Sequence, residues 1–237
     1  MKAILRRELN SYFLTATGYI YMFVFLSLSS LIFFLNNLNS LSSDMSSFFS
    51  MMSYVWMLLT PVLVMKLIAG ERKSMTDQLL LTSPVTMASI ILGKYFAAAA
   101  VLLLSIFMSF LYPLLISFQS RIYLAEISTV YLGFMLQGCA FIAFDLMISS
   151  LCKNPMTAAI STFGANMFLW LASIASSGSS VFLISEFNRY FNLYERLVPF
   201  LSGQLSIANI VYYLIFCIVC LFAAIQILSS KRWSEVS

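Results

Sequence analysis

Six stretches of this 237-residue chain run for the thickness of a bilayer with almost no charge in them, which excludes most folds before any motif is considered. A hydrocarbon core of about 30 Å takes roughly 20 mainly apolar residues as helix. Uncharged runs lie between Glu8 and Asp44, Asp44 and Lys66, Lys94 and Arg121, Glu126 and Asp145, Lys153 and Glu186, and Arg196 and Lys231. Their apolar centres predict spans at 18–35, 48–69, 89–118, 127–150, 156–176 and 207–228. Strands of a membrane barrel are segments of about ten residues with alternating polarity, and these runs are longer and apolar on every face. The fold class expected is an all-α polytopic membrane protein with six transmembrane helices, forming one domain over 1–237.

Composition agrees. The chain is 61% apolar and 9% charged, with a mean hydropathy of +0.94, whereas soluble domains are nearer a quarter charged. Histidine is absent, which removes the imidazole base, the Ser-His pair and the usual nitrogen metal ligand. No catalytic, cofactor or metal residue is predicted.

Basic residues in short loops set orientation. With the N-terminus cytoplasmic, Lys2, Arg6, Arg7, Lys66, Arg72, Lys73, Lys94, Lys153, Lys231 and Arg232 fall on or near the cytoplasmic side, and only Arg121, Arg189 and Arg196 fall outside. Both termini are therefore expected in the cytoplasm of a cell whose inner membrane holds the chain. The first span follows a polar, basic segment with no small-residue cleavage site behind it, so it reads as a retained anchor. The formal charge of +4 reflects this bias, suits anionic head groups and gives no reason to invoke nucleic acid.

Cys139, Cys152, Cys217 and Cys220 all lie in or at the edge of spans. The Cys217-x-x-Cys220 pair is mid-helix, away from the solvent and helix N-terminus that a redox thiol needs, and is read as packing.

Outside the spans, three segments are patterned. Over 1–15, Leu5, Leu9, Tyr12 and Phe13 share one helical face and Lys2, Arg6, Arg7 and Asn10 lie elsewhere, the pattern of an interfacial helix; it is either an elbow leading into the first span or a basic anchor. The cytoplasmic segment 71–86 contains Ser74 and Asp77 at capping-box spacing, Leu79, Leu80 and Leu81, and Pro84, which would end a short helix. Such a helix can dock in a groove of a soluble partner, and the alternative is an ordinary polar loop. Over 183–201, Leu183, Phe187, Tyr190, Phe191, Tyr194 and Val198 form an aromatic face closed by Pro199, expected at the outer head-group level as an exit-guarding helix or an anchor. The Asn- and Ser-rich 36–47 is a short external connector.

Asp145 is the one acid well inside a span. It is expected to pair with Lys66 or Lys94, or else to serve substrate or protons. Pro61 and Pro113 mark possible bends, and Ser161 with Ala165 a close-packing pair.

The arrangement resembles the permease subunit of type 2 ATP-binding-cassette (ABC-2) transporters, in particular the branch with the gliding-motility permease and the nitrous-oxide-reductase-maturation permease. The residues that carry it are Glu8-Leu9-Asn10-Ser11-Tyr12-Phe13, Thr60-Pro61, Met65, Glu71-Arg72-Lys73, Leu79-Leu80-Leu81-Thr82-Ser83-Pro84-Val85-Thr86 and Gly93-Lys94-Tyr95. Pro199-Phe200, Gly203, Tyr212-Tyr213 and Lys231-Arg232-Trp233 continue it. Where the family commonly has Ser-Gly-Thr-x-Glu, this chain has Ser74-Met75-Thr76-Asp77-Gln78.

The resemblance implies a coupling helix carrying Glu71, Arg72, Lys73, Asp77, Leu80, Thr82 and Pro84, docked on a separate ABC ATPase. It also implies an elbow helix with Leu5, Arg6, Leu9 and Tyr12 beside it, and an external re-entrant helix with Phe187, Tyr190, Phe191 and Tyr194. The chain has no G-x-x-x-x-G-K-[ST] run, so ATP and Mg would sit on the partner ATPase and none would be bound here. Other implied partners are a second permease, identical or related, and an auxiliary membrane subunit with an external domain. The expected function is ATP-driven export of a hydrophobic or amphipathic substrate. The alternative is a device that transmits force to an external partner without moving solute. A secondary transporter would carry more ionisable groups at mid-membrane.

Overall fold

The structure is a computed structural model that describes residues 2–39, 44–70, 86–118, 123–178 and 192–236. Among them there is no strand, as the bilayer requires of anything but a closed barrel. Helix α1 (Lys2–Leu14) precedes six helices long and apolar enough to cross a membrane: Ala16–Leu38, Met45–Gly70, Met87–Ser117, Leu124–Leu151, Pro155–Ile174 and Ile207–Ser230. The protein is a polytopic all-α membrane protein.

Their construction departs from ideal helices in places the residues explain. The first span is α2 (Ala16–Phe33) continued by a π-helical turn, Phe34–Leu38, so the residues read as the start of an external connector belong to the helix. Asn37 is buried there and donates to the Asp44 carbonyl at 3.0 Å. Asp44 in turn accepts from the Ser46 amide at 2.8 Å and caps α3 (Met45–Val64), the start of the second span. A second π-helical turn, Lys66–Gly70, completes that span.

The third span, expected over 89–118 with a possible bend at Pro113, is two helices, α4 (Met87–Met108) and α5 (Leu111–Ser117). Pro113 has no N–H to offer the Ser109 carbonyl and its ring crowds that group, so the break falls four residues before the proline. The Ser109 carbonyl accepts instead from the Tyr112 amide at 3.1 Å and from Tyr131 Oη at 2.9 Å. Thr86 caps α4 through the Ser89 amide at 3.4 Å.

The fourth span, α6 (Leu124–Leu151), is the most covered, and the fifth, α7 (Pro155–Gly178), the least, at 72% and 22% buried over their apolar windows. Lipid offers no hydrophobic gain for helix association, so close packing must supply it. Trp56 stacks between Phe25 at 5.5 Å and Phe134 at 4.6 Å, joining the first, second and fourth spans. A Cβ on Gly138 would stand 2.9 Å from Leu102, so its absence lets the third span approach. Cys217 and Cys220 are free and buried in α9 (Ile207–Val236), with Tyr95 Oη 3.7 Å from Cys217 Sγ.

Residues 195–197 form a 3-10 turn that leads into the short helix α8 (Val198–Leu201). Pro199 was expected to close a helix, and instead it sits in the first turn of one. Its missing N–H has no intrahelical partner to lose there.

Candidate coupling site

The second span ends at Gly70 and the third begins at Met87. Glu71, Arg72, Lys73, Asp77, Leu80, Thr82 and Pro84 lie between them, outside the described residues. What is described is the pair of helix ends that bracket this segment and the helix α1 that binds both.

Helix α1 buries Ile4, Glu8 and Tyr12, with Leu5, Leu9 and Phe13 half-buried beside them and Arg6 exposed. The expected face of Leu5, Leu9, Tyr12 and Phe13 is thus turned so that its centre carries an acid. The reason is Lys94, whose Nζ lies 3.2 Å from Glu8 Oε1, the lysine side chain 2% and the glutamate 8% exposed. Buried charges are retained where they are paired and hydrogen-bonded. Lys94 also donates to the Leu67 carbonyl, and Arg7 approaches Glu8 from the exposed side. A helix's last carbonyls have no intrahelical donor, and Leu67 is within the closing π-helical turn, so Lys94 caps the second span.

Tyr12 adds a second tie, donating to the Leu63 carbonyl at 2.7 Å. Burial, and after it the Glu8 carboxylate, push the Tyr12 phenol well above its ordinary range, which keeps it a donor. Two glycines permit the approach: a Cβ on Gly93 would meet Ile4 at 2.9 Å, and one on Gly18 would meet the Tyr12 carbonyl at 2.7 Å. Lys66 Nζ donates to Thr17 Oγ1 at 3.0 Å. Both bracketing helix ends are thus tied to α1, and the second span also to the first through Lys66 and Thr17.

The segment before the sixth span is held differently. Phe187, Tyr190 and Phe191 lie outside the described residues, and Tyr194, expected at the head-group level, is buried. Its ring stacks on Tyr54 at 5.5 Å and meets Phe141 at 5.6 Å. Asn192 Oδ1 accepts from the Tyr194 and Glu195 amides at 3.1 and 2.9 Å. The Leu193 carbonyl accepts from Gln137 Nε2 at 3.3 Å and from Tyr213 Oη at 2.7 Å. Gln137 is near the middle of the 28-residue α6, about 20 Å from either end, so the segment before α8 reaches the middle of the fourth span. Phe200 seals it against Gly133, where a Cβ would stand 2.5 Å from the ring, and Gly203 turns the chain out at φ +74°.

Asp145 does not pair with Lys66 or Lys94. Its Oδ1 accepts from Asn166 Nδ2 of the fifth span at 3.0 Å, because the two lysines are held at the α1 side by Thr17, Glu8 and Leu67. Glu8 and Lys94 are the site residues that residue patterning passed over. Each is a boundary charge of an otherwise uncharged run, and two opposite charges at run ends expected on the same side of the membrane are the signal that points to them.

A family model described as ABC-2 family transporter protein matches residues 37–232. No curated protein matches the chain.

Proposed function

We propose that this chain, which belongs to the ABC-2 family of transporter proteins, exports a hydrophobic or amphipathic substrate through a pathway driven by ATP on a separate subunit. As a permease it is the membrane component of an ABC transporter and associates with an ABC ATPase. Within the family we assign it to the branch with the gliding-motility and nitrous-oxide-reductase-maturation permeases. In this reading both termini face the cytoplasm across the inner membrane, 71–85 docks on the ATPase, and ATP and Mg are bound there.

The observation that carries the proposal is the buried Lys94, which joins Glu8 of α1 to the Leu67 carbonyl. Docking strain on 71–85 enters at Gly70 and Thr86, and this latch delivers it to α1 and the spans together. Packed helices shift between discrete arrangements, so closure of the ATPases would rock the spans as bodies. Glu71, Arg72 and Lys73 lead the segment and Asp77, Leu80, Thr82 and Pro84 form its docking part.

A second permease supports the same picture. The fifth span has the lowest hydropathy of the six, 1.3, and is the least covered, which makes it a poor lipid-facing helix. A second copy against it would bury that surface. An auxiliary subunit with an external domain would meet the segment around Tyr194.

The test is to isolate the chain with its ATPase in mild detergent and compare wild type with Glu71→Ala and with deletion of 76–82. The proposal expects a co-isolated ATPase whose activity responds to lipophilic substrates, and loss of that response or of assembly in the variants. Normal assembly and an unchanged response in both variants would refute the coupling assignment. A stable complex whose ATPase ignores every substrate would refute export.

A further inference from the structure

Between the fourth and fifth spans the core holds an acid that no cation among the described residues pairs with. Asp145, Ser149 and Asn166 are fully buried and Tyr194 is 9% exposed. After the Asn166 to Asp145 hydrogen bond is made, Asp145 Oδ2, Asn166 Oδ1, Ser149 Oγ and Tyr194 Oη have no partner among the described residues. Ser149 is one turn from Asp145 on the same helical face, and the Thr60 hydroxyl of the second span lies within reach of the carboxylate while donating to the Trp56 carbonyl at 2.8 Å. The carboxylate also lies close enough to Tyr194, in the segment before α8, and to Cys220 of the sixth span to act on them electrostatically. None of these neighbours carries positive charge.

Asp145 is six residues from the end of α6, about 9 Å inward. An uncompensated carboxylate at such a place is costly, and each unmatched buried oxygen adds to that cost. All four unmatched atoms are oxygens, two of them pure acceptors, and together they carry one negative charge. One carboxylate would leave a divalent ion with a net positive charge buried among the spans, and zinc favours nitrogen or sulfur.

We propose that Asp145 Oδ2, Asn166 Oδ1, Ser149 Oγ and Tyr194 Oη line an intramembrane site for one small monovalent cation, sodium or a hydrated proton. Its occupancy neutralises the acid and ties the segment before α8 to the fourth and fifth spans. A ligand that binds the folded state raises its stability, so occupancy is read from thermal unfolding.

The full chain, with its ATPase where the two co-isolate, is unfolded by heat in choline chloride, which is replaced stepwise by sodium chloride at constant ionic strength and mildly alkaline pH. A second series stays in choline and moves into the mildly acidic range. If the cation is sodium, the unfolding temperature rises saturably with sodium. If it is a proton, sodium does nothing and acidification raises the temperature. In either case Asp145→Asn, which removes the charge while keeping the shape, loses the response. Tyr194→Phe, which keeps the ring stack, weakens it several-fold. Should Asp145→Asn fail to fold, Ser149→Ala and Tyr194→Phe carry the reading through weakened apparent affinity. The proposal is overturned if wild type responds to neither cation, or if the response is unchanged in Asp145→Asn or, where that variant does not fold, in both single-oxygen variants.

Discussion

Lys94 and Glu8 are 86 positions apart and neither is exposed beyond a tenth of its side chain. Removing one partner of a buried pair leaves the other charged and unpaired, which costs about 3–5 kcal/mol. Lys94→Met is expected at the low end of that range because Arg7 still reaches Glu8, and it also strips the Leu67 carbonyl of its donor. Glu8→Gln combined with Lys94→Met removes both charges and is expected to recover more than half of the loss. Thermal unfolding of the four proteins of the cycle measures this, and a double variant that loses the sum of the two single losses would show that the pair contributes nothing. The pair was not recoverable from helical periodicity, which sees only residues a few positions apart. For the same reason Asp145 was assigned the wrong partner: Lys66 and Lys94 were the available cations, but the packing turns them toward α1 and gives the acid an amide.

Among elements, the six spans were readable because burying charge in lipid is expensive enough to mark every run that avoids it. Breaks inside them were readable only in part. Pro113 announced a bend, yet the bend belongs at Ser109, and nothing local shows that Tyr131 of another span receives the freed carbonyl. This makes a coupled prediction. Tyr131→Phe should cost about 1 kcal/mol in wild type and clearly less when Pro113→Ala restores an N–H able to reach Ser109. Equal costs in the two backgrounds, measured by unfolding, would separate the tyrosine from the break. The segment around α8 offers another test. Gly133→Ala puts a Cβ 2.5 Å from the Phe200 ring, an overpacking expected to cost about 1–3 kcal/mol and to expose α8 to protease. Phe200→Leu in the same chain should return most of that stability, since the clash is with the ring alone.

For the whole molecule, the distribution of charge and the packing make one joint statement about sidedness. Ten of thirteen basic residues lie on one side if the N-terminus is cytoplasmic, and the α1 site, with Lys66 and Lys94, belongs to that side. The segment before α8 and the 3-10 turn then open to the outside, where Arg196 donates to Asn209 at 3.2 Å and lies 4.8 Å over the Tyr212 ring. The loops between spans are short enough to report a side without ambiguity. Tyr123, 75% exposed at the start of the fourth span, and Lys153, exposed after its end, sit at opposite ends of one helix. In a background with Cys139, Cys152, Cys217 and Cys220 replaced by Ala or Ser, Tyr123→Cys should react with a membrane-impermeant maleimide in intact cells. Lys153→Cys should react only after the membrane is opened. The reverse pattern would place α1 and 71–85 outside, where no ATPase could reach them, and the coupling proposal would fail with the topology.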